Sequence, residues 1–239
     1  MASSEHIKGN ATAPALFNLP LIGRATELSM LGQALTNTAA GRGYTVILAG
    51  EGGIGKTRLA KAAAEQAERR SWQVALGRAY PVETGVPYAL FSDALLPMLR
   101  KLDSSTLQVL TRGGSAELAY LFPALAPAQE RMSSSVARGD PAEFKARLLW
   151  NFTQFLVRLS AKQPLVLVLE NLQWADAASL ELLHFVARQI SQEKLLLLCT
   201  YNATERDLNP TLRTTEQSLV TLGVAQVHQL RPQIGRAHV

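Results

Sequence analysis

From residue 27 to 40 the apolar positions Leu28, Leu31 and Leu35 recur at intervals of three and four, which predicts a helix, and Gly41 and Gly43 end it. The pattern then changes. Residues 44–49 (YTVILA) form a short, β-branched apolar run of the kind a buried strand needs, and residues 73–79 read as a second strand. Between them lie a glycine-rich turn and a helical stretch from about residue 56 to 70. Residues 81–140 are the least regular part, with short helices expected near 92–102, 106–111 and 116–121 and a surface loop at 132–140. Pro141 suits a first helical turn, and Phe144, Leu148, Phe152, Phe155, Leu156 and Leu159 mark one face of a helix to about residue 160. Residues 165–169 (LVLVL) read as a central strand. Asp176 precedes a helix to about 189, residues 195–201 form another strand, Asn209-Pro210 opens a last helix, and 224–230 reads as one more strand. Short apolar strands alternating with helices predict an α/β fold, its parallel sheet covered on both faces. No internal repeat is visible.

Composition narrows the class. Of 239 residues, 47% are hydrophobic and 18% charged, enough for a core and too little charge for a disordered chain. The net charge of +5 is scattered rather than striped, which reads as a solvated surface and not as a nucleic-acid track. Cys199 is alone, so no internal disulfide forms and a reducing compartment fits. The longest apolar runs, 165–169 and 195–199, fall far short of the roughly 20 residues of a bilayer span. The first residues lack the charged-then-apolar pattern of a signal peptide, so a cytoplasmic protein with no membrane contact is expected. Residues 1–18 read as a mobile leader, and 19–233 as one domain with a helical insertion at about 81–140. The ending IGRAHV, residues 234–239, matches the in-frame translation of a common sequencing adapter; the expectation is that the natural chain continues beyond Gln233.

Gly50-Glu51-Gly52-Gly53-Ile54-Gly55-Lys56-Thr57 fits G-x-x-x-x-G-K-[ST], with a strand before it and a helix after it. Average composition gives a chance match in a chain of this size about one per cent of the time. The glycines let successive backbone N–H groups turn inward as an anion nest, and the helix adds its positive end. Lys56 is placed to reach the β- and γ-phosphates, and the Thr57 hydroxyl to ligate Mg²⁺. The candidate nucleotide contacts are therefore Gly50, Gly52, Gly53, Ile54, Gly55, Lys56, Thr57 and Arg58. A partner strand should end in an acid that serves the metal, and PLVLVLENLQW supplies Glu170 at a strand's carboxyl end, where open α/β sheets bind ligands. Standing alone it would read as a solvated carboxylate; beside this loop it becomes, with Thr57, the candidate metal ligand. The fold expected is then a three-layer P-loop NTPase sandwich with a mostly parallel sheet of about five strands.

LIGRATELSML, GEGGIGKTRLA, VPYALFSDAL and LVLENLQWADAASLELL together resemble the nucleotide-binding domain of STAND signal-transduction ATPases, AAA-type modules of large LuxR-type and related bacterial transcriptional regulators. The resemblance covers about residues 19–233. It implies a nucleotide-dependent switch that takes ATP or ADP with Mg²⁺, followed in the whole protein by winged-helix and helical-repeat segments. DNA would then be reached only through an effector domain outside this chain, and activation would bring self-association. The resemblance also places Gly23 and Arg24 near the adenine and ribose. On residue chemistry alone, Gly23 permits a tight turn and Arg24 could equally be a surface cation. Tyr88 either helps to close the nucleotide site or belongs to the core, and Asp176 reads as a helix N-cap before a catalytic group.

Two positions depart from that family. Where relatives commonly carry a second acid, this chain has Asn171, and an amide cannot accept a proton from an attacking water at neutral pH. At the end of the next strand Asn202 stands where relatives often have Arg; it can donate a hydrogen bond but adds no positive charge. Lys56, Glu170 and Asn171 are the candidate catalytic positions, and binding is expected to outlast hydrolysis. A regulatory switch with slow hydrolysis is therefore expected, against an efficient ATPase or phosphoryl-transfer enzyme, or an interaction module with a vestigial loop. His6, His184, His228 and His238 show no metal-ligand spacing. No Ser-His-Asp signature is visible, Cys199 reads as an inert buried thiol, and Glu65 and Arg69 as a surface pair. Arg69-Arg70 is too short for a DNA patch.

Overall fold

A computed structural model describes residues 23–83, 85–122 and 140–232. The leader expected at 1–18, the loop expected at 132–140 (Asp140 apart) and residues 234–239 lie outside the described residues. The described chain runs α1 (Ala25–Ala39), β1 (Tyr44–Gly50), α2 (Lys56–Arg69), β2 (Gln73–Arg78), α3 (Ala89–Leu99), α4 (Ser104–Leu110), α5 (Ser115–Leu121), α6 (Pro141–Lys162), β3 (Leu165–Glu170), α7 (Ala177–Gln189), β4 (Leu195–Asn202), α8 (Pro210–Thr221) and β5 (Ala225–Gln229). Each falls where the hydrophobic pattern predicts it, to within a few residues. Local chemistry sets several boundaries. Asp103, Asp140, Asp176 and Asn209 each accept a backbone N–H two or three residues on, as N-caps do. Pro141 and Pro210 occupy the first turns, where no N–H is needed.

All five strands are parallel, in the order β2-β3-β4-β1-β5. β1, β3 and β4 are apolar at nearly every position because both their faces are covered. Their alternation sorts the core into two clusters. Ile47, Ala49, Leu165, Leu167, Leu169, Leu195, Leu197, Cys199 and Tyr201 face the layer built from α3 to α8. Val46, Leu48, Val166, Val168, Leu196 and Leu198 face the thinner layer of α1 and α2, against Leu31, Leu35, Leu59 and Ala63. In the thicker layer Phe91 of α3 meets Phe152 of α6 edge-on, ring centres 5.2 Å apart. Among the described residues no helix is long and apolar enough to cross a membrane.

α3 lies so close over β2 that only glycine fits at position 77. A Cβ there would strike the Leu90 carbonyl and come within 2.8 Å of Ala94 Cβ and 2.9 Å of Ala94 N, all on the rigid helix. Asp176 ties α7 to the start of α3: Oδ1 accepts Ser179 N at 2.8 Å and Tyr88 N at 3.1 Å, and Oδ2 accepts the Ser179 hydroxyl at 2.5 Å. Its reading as an N-cap is thus met, with a second element held as well. Glu65 pairs with Lys61 one turn back, at 3.8 Å, rather than with Arg69.

Two stability measurements check this packing. Gly77→Ala is expected to lower the free energy of unfolding by about 1–3 kcal/mol, the usual cost of overpacking; an unchanged urea midpoint would mean that α3 is not seated on β2. Asp176→Ala is expected to cost about 1–2 kcal/mol from the lost cap, read from the same denaturation curves.

Candidate functional site

A parallel sheet buried on both faces exposes its polar chemistry at the carboxyl ends of its strands. β1 ends in the glycine-rich loop, which leads directly into α2. Gly53 and Gly55 hold φ of +76° and +103°, backbone that side chains rarely adopt, and a Cβ at Gly52, Gly53 or Gly55 would meet nothing within 4 Å. These glycines therefore border open space. Gly55 precedes α2, and no side chain caps the helix there. The first intrahelical bond runs from Leu59 N to the Gly55 carbonyl at 3.0 Å, so the N–H groups of the first turn have no acceptor within the helix. These donors and the helix dipole leave the turn positively polarised. Lys56 lies across the loop, its ammonium donating to the carbonyls of Gly50 and Glu51, both at 2.7 Å. Half-burial holds its proton affinity below that of an ordinary lysine, a shift the Glu205 carboxylate opposes. Thr57, exposed, and Arg58 follow in the same turn.

Strand parity brings the other candidates to this side. On β3 and β4 the even-numbered residues face α2, which puts Glu170, Thr200 and Asn202 on the face that carries Lys56 and Thr57. Asn202 pairs in register with Gly50, the first residue of the loop, and Ala203 N donates to the Gly50 carbonyl at 3.0 Å. β4 lies between β1 and β3, so the two strand ends are about 10 Å apart, two inter-strand spacings. Glu170 is 1% exposed. Its Oε2 accepts both Nε (3.0 Å) and Nη2 (2.5 Å) of Arg78, while Oε1 is buried with no hydrogen-bond partner. Leaving a buried acceptor unpaired costs about 1–3 kcal/mol. The hydrogen bond to Glu170 in turn raises the Arg78 guanidinium's hold on its proton.

That orphaned oxygen is what a site for Mg²⁺ requires. Among the described residues no three His, Cys, Asp or Glu side chains gather as an all-protein metal cage. Mg²⁺ needs none, since it binds through one or two protein oxygens together with phosphate and water. Thr57 and Glu170 fit that donor set.

Asn171 follows with φ of +63°, a left-handed turn that asparagine tolerates well, and its N–H donates to Thr200 Oγ1 at 3.3 Å. The position thus carries a backbone duty of its own. The Asn202 side chain donates to Glu205 at 2.6 Å and its backbone N–H to Gln173 Oε1 at 3.0 Å. Gly23 adopts the left-handed turn expected of it, φ +72°. Arg24 is buried, and the surface-cation alternative falls away: its guanidinium donates to the Ile54 carbonyl at 2.9 Å, to the Arg231 carbonyl at 3.1 Å and to Glu27 at 2.6 Å. Tyr88 is buried in the core cluster with φ of +62°.

Arg78, Glu205, Thr200 and Gln173 escaped the sequence reading. Each meets its partner across a turn or a strand pair; only the placement of Arg78 at the end of a strand, level with Glu170, left a trace. Elsewhere, burial pushes the Cys199 thiol up to about 12, consistent with an inert thiol. His184 is half-buried, its Nε2 2.8 Å from Ser218 Oγ, and burial lowers its proton affinity.

Comparison with known proteins places this arrangement. Residues 20–198 match the model of the AAA ATPase domain. A protein of Rhizobium meliloti (strain 1021) is 26% identical over 195 residues, covering 76% of this chain and 18% of the relative, so the chain spans less than a fifth of that protein's length. Among solved structures, Cdc6p from Pyrobaculum aerophilum is similar in fold, with a TM-score of 0.52 and 15% identity over 92% of this chain and 48% of its own. The Aeropyrum pernix ORC1 protein, solved in complex with DNA, superposes with a TM-score of 0.49 and 17% identity, again over 92% and 48%. With its loop, uncapped helix and strand-end acid in one α/β sandwich, and with three quarters of its length inside the family model, the chain belongs to the AAA ATPase domain family.

Proposed function

We propose that this chain binds ATP or ADP with Mg²⁺ and serves as a regulatory switch, with slow hydrolysis, inside a larger signal-transduction or transcriptional regulator. One observation carries the reading: an uncapped helix start and an open glycine loop around Lys56, on the same sheet face as a buried carboxylate with a spare oxygen. The fractions of the relatives that the chain covers favour a module within a longer protein. The switch, its bacterial regulatory setting, the winged-helix and helical-repeat neighbours, self-association and an effector that contacts DNA rest on the family resemblance.

The chain's own groups divide the work. The first-turn N–H groups of α2 and the loop amides hold the phosphate oxygens. Lys56 exchanges its carbonyl contacts for phosphate oxygens, whose negative charge stabilises the ammonium that burial disfavours. Thr57 and Glu170 are the residues that would hold Mg²⁺, which when bound neutralises charge on the β- and γ-phosphates. Only the γ-phosphate distinguishes ATP from ADP, so groups at its end must supply the differential contact on which a switch depends. Asn202 and Glu205 are the candidates, with Lys56 beneath them. With asparagine at 171 no carboxylate stands at the usual base position, and the loss of a general base costs about 10²–10⁴-fold in rate. Arg24 ties down the loop through the Ile54 carbonyl, and the resemblance sets it and Gly23 near the adenine and ribose.

Calorimetric titration with ATP, ADP and a non-hydrolysable analogue, with and without Mg²⁺, tests this beside single-turnover hydrolysis. Mg²⁺-dependent binding with turnover well below one per second is the expected outcome. Several turnovers per second would make the chain an efficient ATPase, and no binding at all would make the loop vestigial. Lys56→Ala is expected to abolish measurable binding while leaving the circular dichroism spectrum unchanged. Asn171→Asp, which keeps a residue tolerant of the left-handed turn, is expected to raise the single-turnover rate by up to about 10²-fold; no change across a range of Mg²⁺ concentrations counts against position 171 as the missing base.

A further inference from the structure

The acid at the end of β3 is held in an uncommon way. Parallel pairing sets Arg78, the last residue of β2, directly beside Glu170. An arginine that meets a carboxylate commonly matches its two donors to the two oxygens. Here both donors, Nε at 3.0 Å and Nη2 at 2.5 Å, converge on Oε2 alone. Arg78 is itself anchored, its backbone N–H donating to Asp93 Oδ2 at 2.8 Å on α3. α3 in turn is seated tightly over Gly77. The guanidinium is 40% exposed and the carboxylate 1%, so the cation closes the outer side of the acid. Oε2 is fully engaged, and Oε1 is buried and unpaired.

We propose that Arg78 makes Glu170 a one-oxygen ligand and thereby sets which divalent ion accompanies the nucleotide, favouring Mg²⁺ over Ca²⁺. The inference rests on the reading of Glu170 as the metal-holding acid. Mg²⁺ demands octahedral geometry at about 2.0–2.1 Å and is content with one oxygen from a carboxylate, keeping several waters. Ca²⁺ seeks about six to eight oxygens at about 2.3–2.6 Å and gains from a carboxylate that offers both. With Oε2 claimed by the arginine, the larger ion loses a ligand that the smaller one does not use. The positive charge of Arg78 repels either ion alike, so the property that reports the one-oxygen constraint is the ratio of the two affinities. Arg78 acts through Glu170 and is a positioning residue.

The test is calorimetric affinity for a non-hydrolysable ATP analogue in Mg²⁺ and in Ca²⁺, for the full chain and for Arg78→Gln and Arg78→Lys, with thermal melts to confirm folding. Arg78→Gln is expected to narrow the Mg²⁺-to-Ca²⁺ ratio by about tenfold, the low end of what loss of an outer-shell partner does to metal binding. Arg78→Lys, which brings one compact ammonium in place of a two-donor fork, is expected to narrow it by about threefold. Should Arg78→Gln fail to fold, the lysine variant decides by the same ratio. Equal losses in both metals, or an unchanged ratio, overturn the role given to Arg78. A wild-type chain whose analogue binding ignores both metals overturns the reading of Glu170 itself.

Discussion

A parallel sheet covered on both faces leaves its polar groups few places to go. Along β1, β3 and β4 nearly every interior position is apolar, and the strict alternation of faces assigns each side chain to one helical layer or the other. Charge can enter only where the strands stop. Because β3 and β4 share one register, Glu170, Thr200 and Asn202 leave the sheet on the same side as the helix that follows the glycine loop. The site follows from this constraint. Slipping one strand by a single residue would send its terminal polar group to the opposite layer.

The electrostatics at that edge are those of unspent capacity. Lys56 makes do with two carbonyls, Glu170 keeps one oxygen without a donor, and no side chain caps the start of α2. The unpaired oxygen costs stability in the chain as it stands, and each of these is a group that a phosphate or a divalent cation would satisfy. Asp176 gives the contrast: both its oxygens are filled, by Ser179 and the Tyr88 N–H, and they tie α7 to the start of α3.

Much of this was legible in the residues. Strands and helices announced themselves because their periods are local, caps because Asp or Asn stands just before an apolar run, and the loop because its glycines and lysine lie within eight residues. Glu170 was legible because a strand that ends in an acid is a short-range pattern. Apart from Glu205, three residues from Asn202, what stayed hidden depends on separation in the chain. Arg78 and Glu170 are 92 positions apart, and Arg24 reaches a carbonyl 207 positions away. No window of sequence contains such pairs; they exist once the strand order β2-β3-β4-β1-β5 is set. Arg24 looked like either of two things because a lone arginine before a helix carries no sign of what will fold over it. Likewise, Gly77 gave no hint of its necessity until α3 lay across it.

The single cysteine gives the molecule a built-in clock. Cys199 sits in β4, between β3 and β1, fully shielded from solvent and with its thiol pushed up to about 12. A thiol so placed does not react with an alkylating reagent until the middle of the sheet comes apart. The speed at which such a reagent marks this one atom therefore reports how often the entire sheet opens, undisturbed by fraying of helices or loops, and any ligand that braces the sheet will slow that marking in proportion to its grip.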